Sequence, residues 1–208
     1  MKPSVEQIIS FQSAFDYFNQ QLFQESLPPV ILNFSRSRAS TIAFYAPKQW
    51  EREPEEKSEV LDEISLNPAY LGRSMEKIFS SLVHEQCHQW QWTYGKPSRN
   101  GYHNKEWVKK MQEVGLEPDN GRGKGTGQKV SHKIIDGGIF QRAFESMPEE
   151  YKLPWRVFIE GMSEEPKPKK KGDKVKYRCD SCGANVWGKS GLNISCNDCN
   201  VDFEEEDE

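Results

Sequence analysis

Apolar residues near the start of the chain recur every three or four positions: Val5, Ile8, Ile9, Phe11, Phe15, Phe18 and Leu22. That spacing predicts an amphipathic helix over 5–25, ended by Pro28 and Pro29. The period then falls to two. In VILNFS (30–35), Val30, Leu32 and Phe34 alternate with Ile31, Asn33 and Ser35, which predicts a strand. TIAFYAP (41–47) predicts a second strand, stopped by Pro47, and VLDEISLNP (60–68) a third, with Leu61, Ile64 and Leu66 as its apolar positions. The charged stretch 48–58, which contains Pro54, reads as a surface loop. Helical spacing returns over 73–94, with Ser74 near the N-terminus, Ile78, Phe79, Leu82 and Val83 as the buried stripe, and Gly95-Lys96-Pro97 as the stop. A further helix is expected over 104–114, with Trp107, Val108, Met111 and Val114 inward and Gly115 ending it.

The pattern weakens after that point. DNGRGKGTGQK (119–129) holds four glycines and predicts a flexible loop; it lacks the Gly-Lys-Ser/Thr ending of a P-loop. The aromatics Phe140, Phe144, Tyr151, Trp155 and Phe158 close a first domain, 1–162. EEPKPKKKGDK marks a basic linker, 163–174. A small unit follows over 175–203, with VKYR, ANVWG and LNISC as short strands, and then an acidic tail, 204–208. The expected class is α+β: helices on a small mixed sheet, followed by a small all-β unit. A mean hydropathy of −0.84 agrees with part of the chain being linker or tail. The net charge of −4 lacks the global signature of a nucleic-acid binder, which leaves only local patches. No secretory leader and no apolar run near about 20 residues is evident. The expectation is a cytoplasmic chain with no membrane partner.

Residues 81–90, SLVHEQCHQW, carry candidate chemistry. His84 and His88 are four apart, so on a helix both imidazoles share one face and can hold one ion. A catalytic zinc takes three protein ligands plus water, whose pKa it lowers to about 7. Glu85, beside the first histidine, is then the general base that takes the water's proton and later protonates a leaving amine. The bare pattern is short, and two histidines on an ordinary helix are the bland alternative. Three features favour the metal. The helix is strongly amphipathic; EISLNP just before it offers an edge for an extended peptide; and three of the chain's four histidines fall within 84–103. The third, His103 in GYHNKEW, lies fifteen residues after His88, too far for the metzincin spacing. Glu106 and Glu113 are alternative ligands, but both suit the solvent face of a helix, so His103 is preferred. Three imidazoles suit several divalent ions besides zinc. Tyr94 and Tyr102 flank the site as oxyanion donors or as packing. His132 reads as structural or exposed, with a role in holding substrate as the alternative. Cys87 reads as a packing residue, and Trp90 and Trp92 as core.

Four of the five cysteines form Cys179-x-x-Cys182 and Cys196-x-x-Cys199 with thirteen residues between the pairs. Two such knuckles complete a tetrahedron of thiolates around a structural zinc, and Gly183 permits the turn. The unit is too small for a core of its own, and zinc binding, about 10–16 kcal/mol in comparable peptides, supplies its folding energy. Two zinc sites are therefore expected, one catalytic and one structural. Tyr177, Arg178, Trp187 and Lys189, with Lys167, Lys169, Lys170, Lys171, Lys174 and Lys176, suit contact with single-stranded or duplex DNA. The alternative is a soluble linker and a ribbon that docks on protein. The acidic tail would compete with DNA for the lysines.

Several segments, in order, resemble the SprT-like (Spartan-related) zinc metalloprotease family: FDYFNQQLFQESLPP, EISLNPAYL, HEQCHQWQ and YHNKEWVKKM. The resemblance covers about the first 160 residues, and the C-terminal cysteine unit is similar to the zinc ribbon of many bacterial members. The family usually shows His-Gly where this chain has His103-Asn104. The resemblance implies a compact zincin-type protease domain, with zinc on His84, His88 and His103 and Glu85 as general base. Spartan-type members degrade proteins trapped on DNA and are switched on by DNA. The expected function is thus a zinc-dependent endopeptidase acting on polypeptides, with DNA-associated proteins as one substrate class. The alternative is a non-catalytic, zinc-stabilised DNA- or protein-binding regulatory module, which an intact Glu85 speaks against. A weaker third is a hydrolase of small amides.

Overall fold

The computed structural model of the chain describes residues 1–36, 41–53, 59–99, 101–121, 123, 125–157 and 174–206. Two compact units are present, Met1–Glu160 and Gly161–Glu208. Pro54, Phe158, Lys167, Lys169, Lys170 and Lys171, and most of the stretch read as linker, lie outside the described residues.

Helix α1 (Pro3–Phe23) starts with a proline in its first turn, where the missing N–H costs nothing. Phe11, Ala14, Phe15, Phe18 and Leu22 are its buried stripe. The helix stops at Phe23, well before Pro28. Gln24 and Glu25 both turn left-handed, at φ 57° and 58°. Asn19, buried in the last turn, clasps the reversed chain: its Nδ2 donates to Leu27 O and its Oδ1 accepts from Leu27 N–H, both at 3.1 Å. That clasp follows the end of α1, and the prolines only follow it.

Three strands form a mixed sheet in the order β1-β3-β2. Strand β1 (Val30–Phe34) runs parallel to β3 (Val60–Leu66), and β2 (Ala43–Glu51) runs antiparallel to it. Two expectations change here. Strand β3 is central, so EISLNP is no edge; β2 is an edge. And β2 continues past Pro47, because the register shifts between Ala46 and Trp50, and a proline at a bulge on an edge strand forfeits no ladder bond. Asp62 pins the bulge by accepting from Lys48 N–H at 2.8 Å and from Tyr45 Oη at 2.6 Å.

Helix α2 (Met75–Tyr94) packs against β2, β3, α1, α3 (Lys105–Glu113) and α4 (Ile139–Glu145). It is buried on several sides although it carries Ser80, Ser81, Glu85, Gln86, Gln89 and Gln91 inside. Its glutamines bond neighbouring backbone: Gln86 Nε2 donates to Phe15 O at 3.0 Å and Gln89 Nε2 to Pro28 O at 2.8 Å. Gly115, at φ +88°, lets the chain leave α3 and pass the start of α4, where a Cβ would lie 2.8 Å from Phe140 N. Leu116–Asp119 and Ser131–Ile134 then form an antiparallel hairpin, β4 and β5, around the glycine-rich stretch. The sequence pattern predicts only a loop over 119–129.

In the second unit β6 (Lys174–Arg178) pairs with β7 (Asn185–Lys189) on one side and β10 (Glu204–Glu206) on the other. Strands β8 (Ser195–Cys196) and β9 (Val201–Asp202) make a second small ladder. Glu204–Glu206 are therefore not a free tail. Glu205 anchors them, accepting from Ser190 Oγ at 2.7 Å, Gly191 N–H at 3.0 Å and Tyr177 Oη at 3.1 Å. Tyr177 is 2% exposed and forms the centre of this unit, so it is not a surface for a ligand.

Replacing Asn19 with alanine removes both bonds to Leu27 and leaves buried backbone groups unpaired, a loss of about 2 kcal/mol. Urea unfolding of Asn19→Ala is expected to show that decrease with an unchanged slope.

Candidate metal centre

Ser74 caps α2 by accepting from Lys77 N–H at 3.4 Å, and the helical period carries His84 and His88 to one face. His103 comes from the residue before the cap of α3. That cap is Asn104, which accepts from Trp107 N–H at 3.0 Å and donates to Lys96 O and Ser98 Oγ, both at 3.0 Å. An asparagine at this position thus ties the 95–104 turn together. Gln91 of α2 locks the same turn, donating to Asn104 Oδ1 at 2.7 Å and to Glu106 Oε2 at 2.8 Å. Glu106 also accepts from Lys96 N–H at 2.7 Å, so it braces the turn and is not aimed at the histidines. Glu113 lies by Lys109 and Lys110.

His84, His88 and His103 bring one ring nitrogen each to within 4.8 Å of one another. The Nε2 atoms of His88 and His103 are 3.1 Å apart. Beneath them Trp107, fully buried, stacks on His88 at 5.0 Å between ring centroids and meets His84 and His103 edge-on at 4.8 and 4.3 Å. His103 forms a backbone bridge to Gly127, whose carbonyl also accepts from His103 Nδ1 at 2.9 Å. Gly127 has φ +134°, a conformation that glycine alone adopts easily.

The geometry fits a divalent ion. A carbonyl only accepts, so His103 Nδ1 carries the proton and its Nε2 presents a lone pair toward His88. Burial, joined by His103, lowers the His88 pKa to about 3, and burial first and the neighbouring histidines second hold His84 well below its ordinary value. Neutral imidazoles are the metal-ligating form. Zinc–nitrogen bonds of about 2.0–2.1 Å in a tetrahedron set ligand atoms about 3.4 Å apart, close to the His88–His103 separation. Glu85 is buried beside this cluster, and burial pushes its carboxyl up to about 8 against the opposing pull of the Tyr45 N–H that it accepts. A dication nearby favours the ionised form. Tyr45 lies on edge strand β2, so β2 meets the site at Glu85.

The other candidates sort differently. Tyr94 donates its hydroxyl to Ser26 O and ties α2 to the end of α1; Tyr102 lies under Arg99 at 5.4 Å. Neither makes a described contact with the histidines. Cys87 is fully buried in the core, Trp90 is partly buried with Lys110 over its ring at 4.7 Å, and Trp92 is exposed, not core. His132 is not exposed: its Nδ1 lies 3.1 Å from His84 Nδ1 and its Nε2 2.9 Å from Ser80 Oγ. Burial, and then the charge of Arg73, lower its pKa to about 4. The contributions of Gly127, Trp107 and His132 had no signal in motif spacing, since the hairpin that delivers two of them returns from far along the chain.

A second cluster, in the other unit, is Cys179, Cys182, Cys196 and Cys199, again within 4.8 Å of one another. Gly183 and Asn200, the residues that follow each pair, both turn left-handed, at φ +73° and 57°. Each closes a tight turn, Gly183 N–H onto Cys179 O and Asn200 N–H onto Cys196 O, both at 2.7 Å. The Cys182 N–H draws the Cys179 thiol down to about 7, toward the thiolate. The four cysteines and the three histidines are both candidate metal sites of a composition that suits zinc.

No curated protein and no solved structure matches the chain. The family model for the SprT-like family matches residues 11–132, a span that includes α1 from Phe11 onward, the sheet, all four histidines and the hairpin up to His132. That span is more than half of the chain, and its histidine-centred, α+β domain is of the zinc-metalloprotease type: the chain belongs to the SprT-like family.

Proposed function

We propose that the first unit is a zinc-dependent endopeptidase. The observation that carries this reading is the convergence of three neutral imidazoles beside a buried carboxylate at an edge strand. His84, His88 and His103 would hold the ion, and Glu85 is the catalytic base. Bound there, zinc would supply Lewis acidity. Glu85 takes the proton of the attacking water on a carboxylate oxygen and returns it to the amide nitrogen as the C–N bond breaks. Strand β2 lies at an edge of its sheet among the described residues, a position that suits an extended polypeptide added as a further strand. Trp107 excludes water behind the ligands, and Asn104 with Gln91 keeps His103 at its station.

The second unit serves, in this reading, as a zinc ribbon that brings the protease to nucleic acid. Strand pairing puts Lys176 opposite Trp187 and Arg178 opposite Asn185, so Lys176, Arg178, Lys189 and Trp187 share one sheet face. Trp187 is 63% exposed, which suits stacking on an unpaired base. The register also sets Glu204 opposite Arg178, an acidic strand alongside the basic one.

Three outcomes are expected. Glu85→Gln retains zinc but loses proteolysis of a protein substrate by about 10²–10⁴-fold, the usual worth of general acid–base catalysis. Full activity of that variant would sink the enzyme reading, and inactivity of zinc-loaded wild type with and without DNA would favour the regulatory-module alternative. Chelation of zinc is expected to collapse the chemical-shift dispersion of residues 174–206 in NMR spectra while α1–α4 stay helical, because only the first unit has a large apolar core. Trp187→Ala is expected to weaken single-stranded DNA binding by about 1–3 kcal/mol in a fluorescence titration. An unchanged affinity would remove the ribbon's face from the interaction.

A further inference from the structure

We propose that His132 is the positioning residue for the first metal ligand: it fixes the tautomer and ring orientation of His84 through a hydrogen-bond chain that begins and ends on α2. The inference rests on the reading of His84 as a ligand. Proton counting gives the chain its direction. Ser80 Oγ lies 3.0 Å from Lys77 O, a carbonyl that only accepts and that Ser81 Oγ reaches at 3.0 Å as well; the chain runs toward the ligand when the Ser80 proton goes to that carbonyl. Ser80 Oγ is also 2.9 Å from His132 Nε2, and with its proton used it accepts. His132 therefore carries its proton on Nε2 and offers a lone pair at Nδ1. That lone pair faces His84 Nδ1 at 3.1 Å, so His84 donates. A neutral His84 with its proton on Nδ1 has its lone pair on Nε2, the atom left for the ion.

The reverse direction fails. If His132 donated from Nδ1, His84 Nδ1 would spend its lone pair on that bond and Nε2 would carry the proton, so neither nitrogen of His84 would be left for an ion. His103 is set in the same way by a different acceptor, since its Nδ1 donates to Gly127 O. His132 sits on β5 and Gly127 in the loop that leads to it. One hairpin, which contributes no ligand of its own, thus sets the tautomers of two of the three ligands. Such outer partners hold ligating imidazoles in register and raise their basicity.

The test uses the full chain. With the cysteine site saturated, chelator competition reads zinc affinity at the histidine site. His132→Phe keeps bulk and removes the acceptor, and is expected to weaken that affinity by about 10–100-fold. His132→Asn places an oxygen near the former Nδ1 and is expected to recover most of the loss. Ser80→Ala, which frees His132 to change tautomer, is expected to weaken binding a few-fold. Two-bond ¹H–¹⁵N correlations on the zinc-loaded wild type are expected to show His132 protonated on Nε2 and His84 on Nδ1. The proposal is overturned if His132→Phe, folded by its thermal transition, binds zinc as tightly as wild type. It is equally overturned if Asn is no better than Phe, or if the NMR tautomers are reversed. Unchanged zinc affinity in His84→Ala would instead strike the ligand assignment on which the proposal stands.

Discussion

Neutral imidazoles whose lone pairs point at one spot repel one another unless a cation lies between them. That constraint organises the first unit. The His88 and His103 nitrogens stand 3.1 Å apart, with His103 buried and His88 partly so. Everything around them works to keep that arrangement from relaxing. Trp107 supports all three rings at once, and its placement serves its faces and edges: its Nε1 has no hydrogen-bond partner among the described residues. A ring so used trades one polar contact for aromatic packing under three ligands.

The same demand explains why α2 is polar inside. Beside the apolar stripe of Ile78, Phe79, Leu82 and Val83, a helix that carries two candidate ligands and a carboxylate must bury polar side chains as well. It holds its neighbours partly through glutamines. Gln86 grips the backbone of α1, Gln89 the turn before β1, and Gln91 the turn before α3. Buried amides that bond specific backbone groups fix position more tightly than apolar contact, because a small displacement leaves a polar group unpaired. Glu85 belongs to this set. Burial raises its pKa, and the Tyr45 N–H opposes that shift.

The two candidate metal sites differ in how they relate to the fold. The candidate histidine centre is built on a large core that exists around it, with two imidazoles from α2, a third from the bridge residue before α3 and orienting groups from a hairpin. The cysteine cluster has little more than Tyr177 beside it, and its ligands lie in two self-contained turns closed by Gly183 and Asn200. Thiolates in local turns suit an ion that stabilises structure. Imidazoles locked by distant acceptors suit an ion that must keep one geometry while doing chemistry.

What the sequence determined by itself was local. The helical period put His84 and His88 on one face, the cysteine pairs defined two knuckles, and the spacing of apolar residues laid out α1, α2, α3 and the first three strands to within a few residues. These depend only on the geometry of a few consecutive residues. Pairing was decided by the tertiary structure alone. It made β3 central and β2 the edge, carried β2 through Pro47 at a bulge, gave Glu204–Glu206 a partner in β6, and buried Tyr177. It also brought the β4–β5 hairpin back onto the histidines, so that Gly127 and His132 orient ligands from which they are separated by 24 and 48 residues. Such contacts follow from which surfaces must be buried together, and no periodicity in the chain encodes that.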